Sequence, residues 1–123
     1  DEVILNPGRR IAAAKRAVLE LSESGYVTPV VKKDIKVLGR SALGALYAGI
    51  HGMTRAGYAT EHDAKVARKL AYVMCGGDLS EPTRVDEQYL LDLEREAFLS
   101  LTGEQKTLER MQSVLKGGKP IRN

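Results

Sequence analysis

Val85 to Asn123 reads VDEQYLLDLEREAFLSLTGEQKTLERMQSVLKGGKPIRN, and its pattern decides the fold. Asp86 stands where a helix N-cap belongs, and apolar residues follow at Leu90, Leu91, Leu93, Ala97, Phe98 and Leu101. On a helix of 3.6 residues per turn these cover more than one stripe, which predicts burial on two sides. Thr102 and Gln105 have capping-box spacing. A further helix is therefore expected through Leu108, Met111 and Leu115, stopped by Gly117-Gly118. The stretch reads as two helices and a basic tail.

Upstream, the same signals recur. Asn6-Pro7 reads as an N-cap followed by proline at the first helical position, where its missing N–H costs nothing. Ile11, Ala14, Val18 and Leu21 then keep helical spacing and predict one buried face, with Gly25 as the stop. Tyr26 to Gly39, YVTPVVKKDIKVLG, has β-branched residues, Pro29 and no helical period. It reads as an extended connector, with a short strand as the alternative. Ser41 to Arg55 predicts a second helix with Leu43, Leu46, Tyr47, Ile50 and Met53 on its apolar face. Gly44, Gly49 and Gly52 inside it suggest close approach of a neighbouring backbone, hence a central, tightly packed helix. Gly57 ends it. Thr60 with Asp63 forms a capping-box-like pair for a third helix, buried through Val66, Ala67, Leu70, Val73 and Met74 and stopped by Gly76-Gly77. Asp78 to Arg84 reads as a turn-rich linker. No internal repeat and no low-complexity segment appears. The expectation is an all-α array of about five helices with one extended connector at 26–39, forming a single helical domain over 1–123.

Composition narrows the function classes. At 123 residues the chain has room for one domain with a modest core. Its 43% hydrophobic and 28% charged residues are ordinary for a folded protein, which disfavours disorder. The sequence opens on Asp1 rather than methionine, suggesting a removed leader or a piece of a longer polypeptide. No signal-like segment and no apolar run of about 20 residues is present, so no membrane partner is expected. The single cysteine, Cys75, rules out an internal disulfide and suits a reducing, cytoplasmic compartment. Within AYVMC it reads as a small buried hydrophobe rather than a nucleophile. The net charge of +3 permits anionic ligands such as nucleotides but does not by itself argue for nucleic acid.

The chemistry-bearing residues read blandly. His51 and His62 have no companion at i+4 and no cysteine nearby, so no metal site is expected. His62 in TEHD sits in a first helical turn whose acidic neighbours favour the N-terminal dipole. Asp92, Glu94 and Glu96 lie on different sides of a helix with Arg95 interleaved, a solvated charged face rather than an acid–base pair. No G-x-G-x-x-G follows a strand, and Gly39-Arg40-Ser41 and Lys116-Gly117-Gly118-Lys119 lack the ending of a P-loop. No catalytic residue is expected. The rival reading is a helix-turn-helix nucleic-acid module in GYATEHDAKVARKLAYV, with Lys65, Arg68 and Lys69 on one helix. Interspersed Glu61, Asp63 and Asp78 count against it.

The terminal residues Glu109-Arg110-Met111-Gln112-Ser113-Val114-Leu115-Lys116-Gly117-Gly118-Lys119-Pro120 resemble the C-terminal pattern E-G-M-x-A-F-x-E-K-R-K-P of the enoyl-CoA hydratase (crotonase) family, matching at Glu109, Met111, Lys119 and Pro120. Thr102-Gly103-Glu104-Gln105-Lys106 is similar to that family's T-E-D-Q-K. A wider resemblance covers nearly the whole chain. GYVTPVVKKDIKVLGR, GYATEHDAKVARKLAYVMCGGDLS and VDEQYLLDLEREAFLSL look like the C-terminal end of bacterial 3-hydroxyacyl-CoA dehydrogenases that also carry an enoyl-CoA hydratase half.

This resemblance implies a parent enzyme of fatty-acid β-oxidation that uses NAD and an acyl-CoA substrate. The catalytic parts would lie in upstream domains of the same polypeptide, and the chain would hold no cofactor by itself but support that core or join subunits of a homo-oligomer. In the crotonase family the terminal helix can touch coenzyme A through an aromatic residue and a lysine. Here Val114 and Gly117 stand at those positions, leaving Lys116 and Lys119 as the candidate phosphate contacts by charge.

Overall fold

A computed structural model describes residues 3–119 and 121–123. Pro120, one of the positions shared with the crotonase pattern, lies outside the described residues. Among these there are five α-helices, α1 (Arg10–Glu23), α2 (Gly39–Arg55), α3 (Glu61–Met74), α4 (Glu87–Thr102) and α5 (Gln105–Leu115), and two short strands, β1 (Ile35–Val37) and β2 (Thr83–Val85). The mostly helical architecture expected from the sequence is what forms. The chain divides into two compact units, one running to Val31 and the other from Lys32 to Asn123.

The first unit is α1 with its lead-in. The Asn6 side chain accepts from the Gly8 N–H at 2.9 Å and opens a 3-10 turn, Pro7–Arg9, that runs into α1. Gly25, at φ +75°, takes the left-handed conformation that lets the chain leave the helix. Ala13 is the buried residue of α1, whereas Ile11, Val18 and Leu21 are exposed. The apolar spacing was read correctly as helical, but it does not form a buried face here.

In the second unit the connector ends in strand. Ile35, Lys36 and Val37 pair antiparallel with Val85, Arg84 and Thr83, so the alternative reading of part of 26–39 is the one realised. The same pairing makes the end of the expected 78–84 linker a strand. Arg84 donates to Asp34 Oδ2 at 2.7 Å across the ladder. Directly after β1, Gly39 opens α2, two residues earlier than expected. Its N–H donates to the Cys75 carbonyl at 3.0 Å, and the Arg40 N–H to the Leu79 carbonyl at 2.8 Å. The start of α2 is therefore fastened to the end of α3.

Capping chemistry fixes the next two helix starts. Thr60 Oγ1 accepts from the Asp63 N–H at 3.1 Å while Asp63 Oδ2 accepts from the Thr60 N–H at 3.0 Å, closing the capping box on α3. Asp86 Oδ1 accepts from the Tyr89 N–H at 2.8 Å on α4. The second proposed box fails. Thr102 is the last residue of α4 and donates back to the Leu99 carbonyl at 2.9 Å, while Glu104 precedes α5 without a side-chain cap. A hydroxyl in a helix's last turn reaches its own i−3 carbonyl more easily than the next helix's amide.

The core of this unit is small. Leu43, Ala71 and Cys75 form a buried cluster against which Ala42, Tyr47, Ile50 and Tyr72 pack. Val37 is also buried, at 2% exposure. Cys75 is a free, buried thiol, as expected of a small hydrophobe. On α3, Ala64 and Ala71 are buried on one side and His62 on the opposite side; of the face expected there, Val66, Ala67 and Val73 are half-buried, while Leu70 and Met74 are 59% and 67% exposed. Ala71 packs with Leu43 of α2 in the buried cluster, so small side chains occupy the most buried positions of the helix. Likewise on α2, Leu43 is buried but Leu46 and Met53 are exposed. On α4, Ala97 is buried and Leu90, Leu93 and Leu101 are half-buried, but Leu91 and Phe98 are exposed, so burial on two sides does not occur. Gly44, Gly49 and Gly52 face open space rather than a neighbouring backbone.

Candidate functional site

The densest polar constellation joins the starts of α3 and α5 to the last residues of the chain. Arg110 on α5 donates to Asp63 Oδ1 at 2.7 Å, to Asn123 Oδ1 at 2.8 Å and to the Asn123 carbonyl at 3.2 Å. Asn123 Nδ2 donates to Glu109 Oε2 at 2.7 Å and to the Lys106 carbonyl at 3.1 Å. Thr60 Oγ1 donates to the Asn123 carbonyl at 3.2 Å, and Arg122 to the Tyr58 carbonyl at 2.8 Å. The Asp63 carboxyl is held well below the ordinary carboxylate range, first by the Thr60 N–H and then by the Arg110 guanidinium, with burial acting the other way. Glu109 is lowered by its bonds from Asn123 and Gln105. Every strong acceptor here already has a donor, so the constellation is a clasp that fixes α5 and the terminal residues to α3.

His62 lies beside this clasp, buried at 4% exposure, and its Nε2 shares a 3.0 Å hydrogen bond with Thr107 Oγ1. It is a packed member of the α3–α5 contact as well as a first-turn residue. Burial pushes its imidazole below the ordinary value, Arg110, Lys106 and Lys65 add to that, and Glu104 opposes it. The unfolded chain therefore binds a proton below about pH 6.5 that the folded chain resists, and stability is lost as pH falls through that value. The expected result is a lower melting temperature at pH 5.5 than at pH 7.5, with the difference reduced in His62→Gln. An unchanged difference in that variant would assign the pH effect elsewhere.

Lys116 caps the end of α5 and Lys119 follows three residues later, both exposed. Ser113 Oγ donates to the Lys119 carbonyl at 2.8 Å, which folds the tail back on α5 and keeps the two lysines at one end of the helix. Neither ammonium has a carboxylate partner among the described residues. Asp92 pairs with Arg95 at 2.8 Å on the exposed face of α4, as a solvated charge pair. Among the described residues no group of three His, Cys, Asp or Glu side chains is arranged to hold a metal ion, and no helix is long and apolar enough to cross a membrane.

The strand–glycine–helix turn at β1–α2 is the place in the chain that most resembles a phosphate cradle, and it does not fit one. The N–H groups of Gly39 and Arg40, which a dinucleotide phosphate would need, are taken by the Cys75 and Leu79 carbonyls. A side-chain carbon on Gly39 would sit 2.8 Å from the Leu79 carbonyl oxygen, so no ligand atom can enter there.

Sequence reasoning missed the clasp. Asp63 was read only as a cap, and nothing in the order of residues links it to Arg110 or to Asn123. A lone arginine among helix-forming residues carries no signal of its own.

Fold and clasp together define a small, mostly helical protein whose strongest polar network is structural. Over all 123 residues it is 46% identical to a probable 3-hydroxyacyl-CoA dehydrogenase of Bacillus subtilis (strain 168), of which the matching stretch makes up 16%. The chain thus spans about a sixth of the length of that curated relative. No family model matches the chain, and no solved structure matches it.

Proposed function

We propose that this chain is the C-terminal helical part of an NAD-dependent 3-hydroxyacyl-CoA dehydrogenase of fatty-acid β-oxidation. In this reading it carries no complete active site, and its helices support the acyl-CoA-binding core or a subunit contact. The observation that carries the proposal is the 46% identity, over all 123 residues, to 16% of a probable 3-hydroxyacyl-CoA dehydrogenase. The filled helix N-terminus at Gly39 supports it, since the dinucleotide would have to be held by another part of the polypeptide. An enoyl-CoA hydratase half in the same parent rests on the sequence resemblances, of the terminal helix and of the wider chain, and not on the similarity to the Bacillus subtilis protein.

The decisive assay gives the purified chain NAD with a 3-hydroxyacyl-CoA, and separately an enoyl-CoA. Turnover is expected in neither, and measurable turnover in a clean preparation would overturn the proposal. Leu70 and Met74 on α3 and Leu91, Phe98 and Leu99 on α4 are exposed, apolar side chains of the kind a docking surface presents. In isolation the chain is therefore expected to self-associate. A strictly monomeric light-scattering mass at high concentration would count against a docking role.

In the same reading Lys116 and Lys119 contact coenzyme A phosphates. Calorimetric titration with an acyl-CoA at low and raised salt tests this. Saturable heat that is weakened in Lys116→Ala and Lys119→Ala is expected, and unchanged binding in both variants would remove those lysines from the site.

A further inference from the structure

Facing solvent between α2, α3 and α4 is a cleft of about 370 Å³, lined by Tyr47, Lys65, Arg68, Lys69, Tyr72 and Glu96. Its volume lies within the roughly 300–1,000 Å³ of small-molecule sites. Helical spacing explains the lining. Lys65, Lys69 and Tyr72 fall at i, i+4 and i+7 on α3, and Arg68 sits one turn before Tyr72. Tyr47 and Tyr72 also pack against the Leu43–Ala71–Cys75 core, so both rings are anchored from behind.

The charges in the cleft are not equivalent. Lys65 is already bonded to Glu104, whose carboxyl it holds below the ordinary range. Arg68 and Lys69 make no ion pair among the described residues, and Glu96 makes none either. Two cations thus stand without an ion pair, Lys69 acting on Glu104 only at longer range, together with a carboxylate and two aromatic rings. A bare anion would meet the cations but be repelled by Glu96. A ligand that carries anionic oxygens at one end and hydrogen-bond donors on a planar ring at the other satisfies all three features. Cations pair with phosphate oxygens, tyrosine faces accept a planar base, and a carboxylate accepts from an amino group or a ribose hydroxyl.

We propose that the Tyr47–Arg68–Lys69–Tyr72–Glu96 cleft binds a nucleoside phosphate, with the phosphate on Arg68 and Lys69 and the nucleoside toward Glu96 and the tyrosines. The proposal is independent of the dehydrogenase reading, because it follows from the cleft alone.

The test is a two-dimensional NMR titration of the chain with AMP, with adenosine 3′,5′-bisphosphate and with inorganic phosphate. Saturable shifts at the cleft residues are expected with both nucleotides, separate from any at Lys116 and Lys119, and at least tenfold weaker binding with phosphate. A preference for the bisphosphate would mark the nucleotide end of coenzyme A as the source of the ligand, and equal binding a free nucleotide. The paired variant Arg68→Ala with Lys69→Ala replaces an exposed and a half-buried side chain on α3 with a strong helix former, and should keep the wild-type circular dichroism while losing at least tenfold in affinity. Glu96→Gln should narrow the gap between nucleotide and phosphate. Absence of saturable shifts, shifts centred elsewhere, phosphate binding as well as AMP, or full affinity in the paired variant would each overturn the proposal.

Discussion

Gly39→Ala should lower the melting temperature by more than 10 °C, because the new carbon would press on backbone atoms. Gly39 sits at φ +65°, where a side-chain carbon costs about 1–2 kcal/mol. The added carbon would also lie 2.8 Å from the Leu79 carbonyl oxygen and 2.9 Å from that of Glu81, both backbone atoms that cannot rotate away. The 79–81 segment would have to move, and the Arg40 N–H bond to Leu79 would stretch or break. Strain and displacement together place the cost at about 3 kcal/mol or more. For a domain of this size each kcal/mol moves the melting temperature by roughly 4–8 °C. Gly44→Ala is the matched control. It lies inside α2 at ordinary helical φ with nothing within 4 Å of the new carbon, so a gain of about 0.5–1 kcal/mol is expected from helix propensity. Thermal melts of the two variants side by side decide the matter. Equal melting temperatures would mean that the Gly39–Leu79 approach is not as close as described.

Arg110→Met should be the next most damaging change. Its side chain is 23% exposed and holds three acceptors at once, Asp63 Oδ1, Asn123 Oδ1 and the Asn123 carbonyl. Removal leaves the quarter-exposed Asp63 carboxylate with only the exposed Arg122 guanidinium at 3.6 Å, and takes from Asn123 two of its hydrogen bonds. Hydrogen bonds to charged groups contribute about 1.5–3 kcal/mol each when a partner is left stranded, and a total loss of about 3 kcal/mol is expected once solvent access is allowed for. Amide exchange should quicken at Thr60, Asp63 and Asn123 beyond the global change. Arg95→Ala is the contrast, since the exposed Arg95–Asp92 pair lies on one helix surface and should leave the melting temperature unchanged. If both substitutions cost the same, the clasp is an ordinary surface network.

These two predictions draw on different kinds of information. Gly25, Gly57, Gly76 and Gly117 were legible in the sequence as helix stops because only glycine takes positive φ without strain, and all four do so. The boxes at Thr60 and the cap at Asp86 were legible because a cap is a contact between residues three apart. The clasp was not, because Arg110 reaches Asp63 across 47 residues of sequence and Asn123 reaches Thr60 across 63.

The inward faces of the helices show the same divide. Periodicity marks α3 as amphipathic and predicts a face of Val66, Ala67, Leu70, Val73 and Met74. Packing half-buries Val66, Ala67 and Val73, buries Ala64 and Ala71 fully and leaves Leu70 and Met74 exposed, a choice made by neighbouring helices rather than by the period. The glycines of α2 were misread for a related reason. A glycine on the solvent side and one under a neighbouring backbone look identical in sequence, and Gly39, not Gly44, Gly49 or Gly52, proved to be the crowded one.

The sequence by itself determined the helices, three of their caps and most of their stops, because these depend on propensities and hydrogen bonds within a turn or two of chain. Only the tertiary structure decided which faces are buried, how Arg110 joins α5 to Asp63 and Asn123, and that Arg68, Lys69, Glu96 and two tyrosines share one cleft. Those depend on how closely helices pack, which side-chain volume sets collectively and no local pattern records.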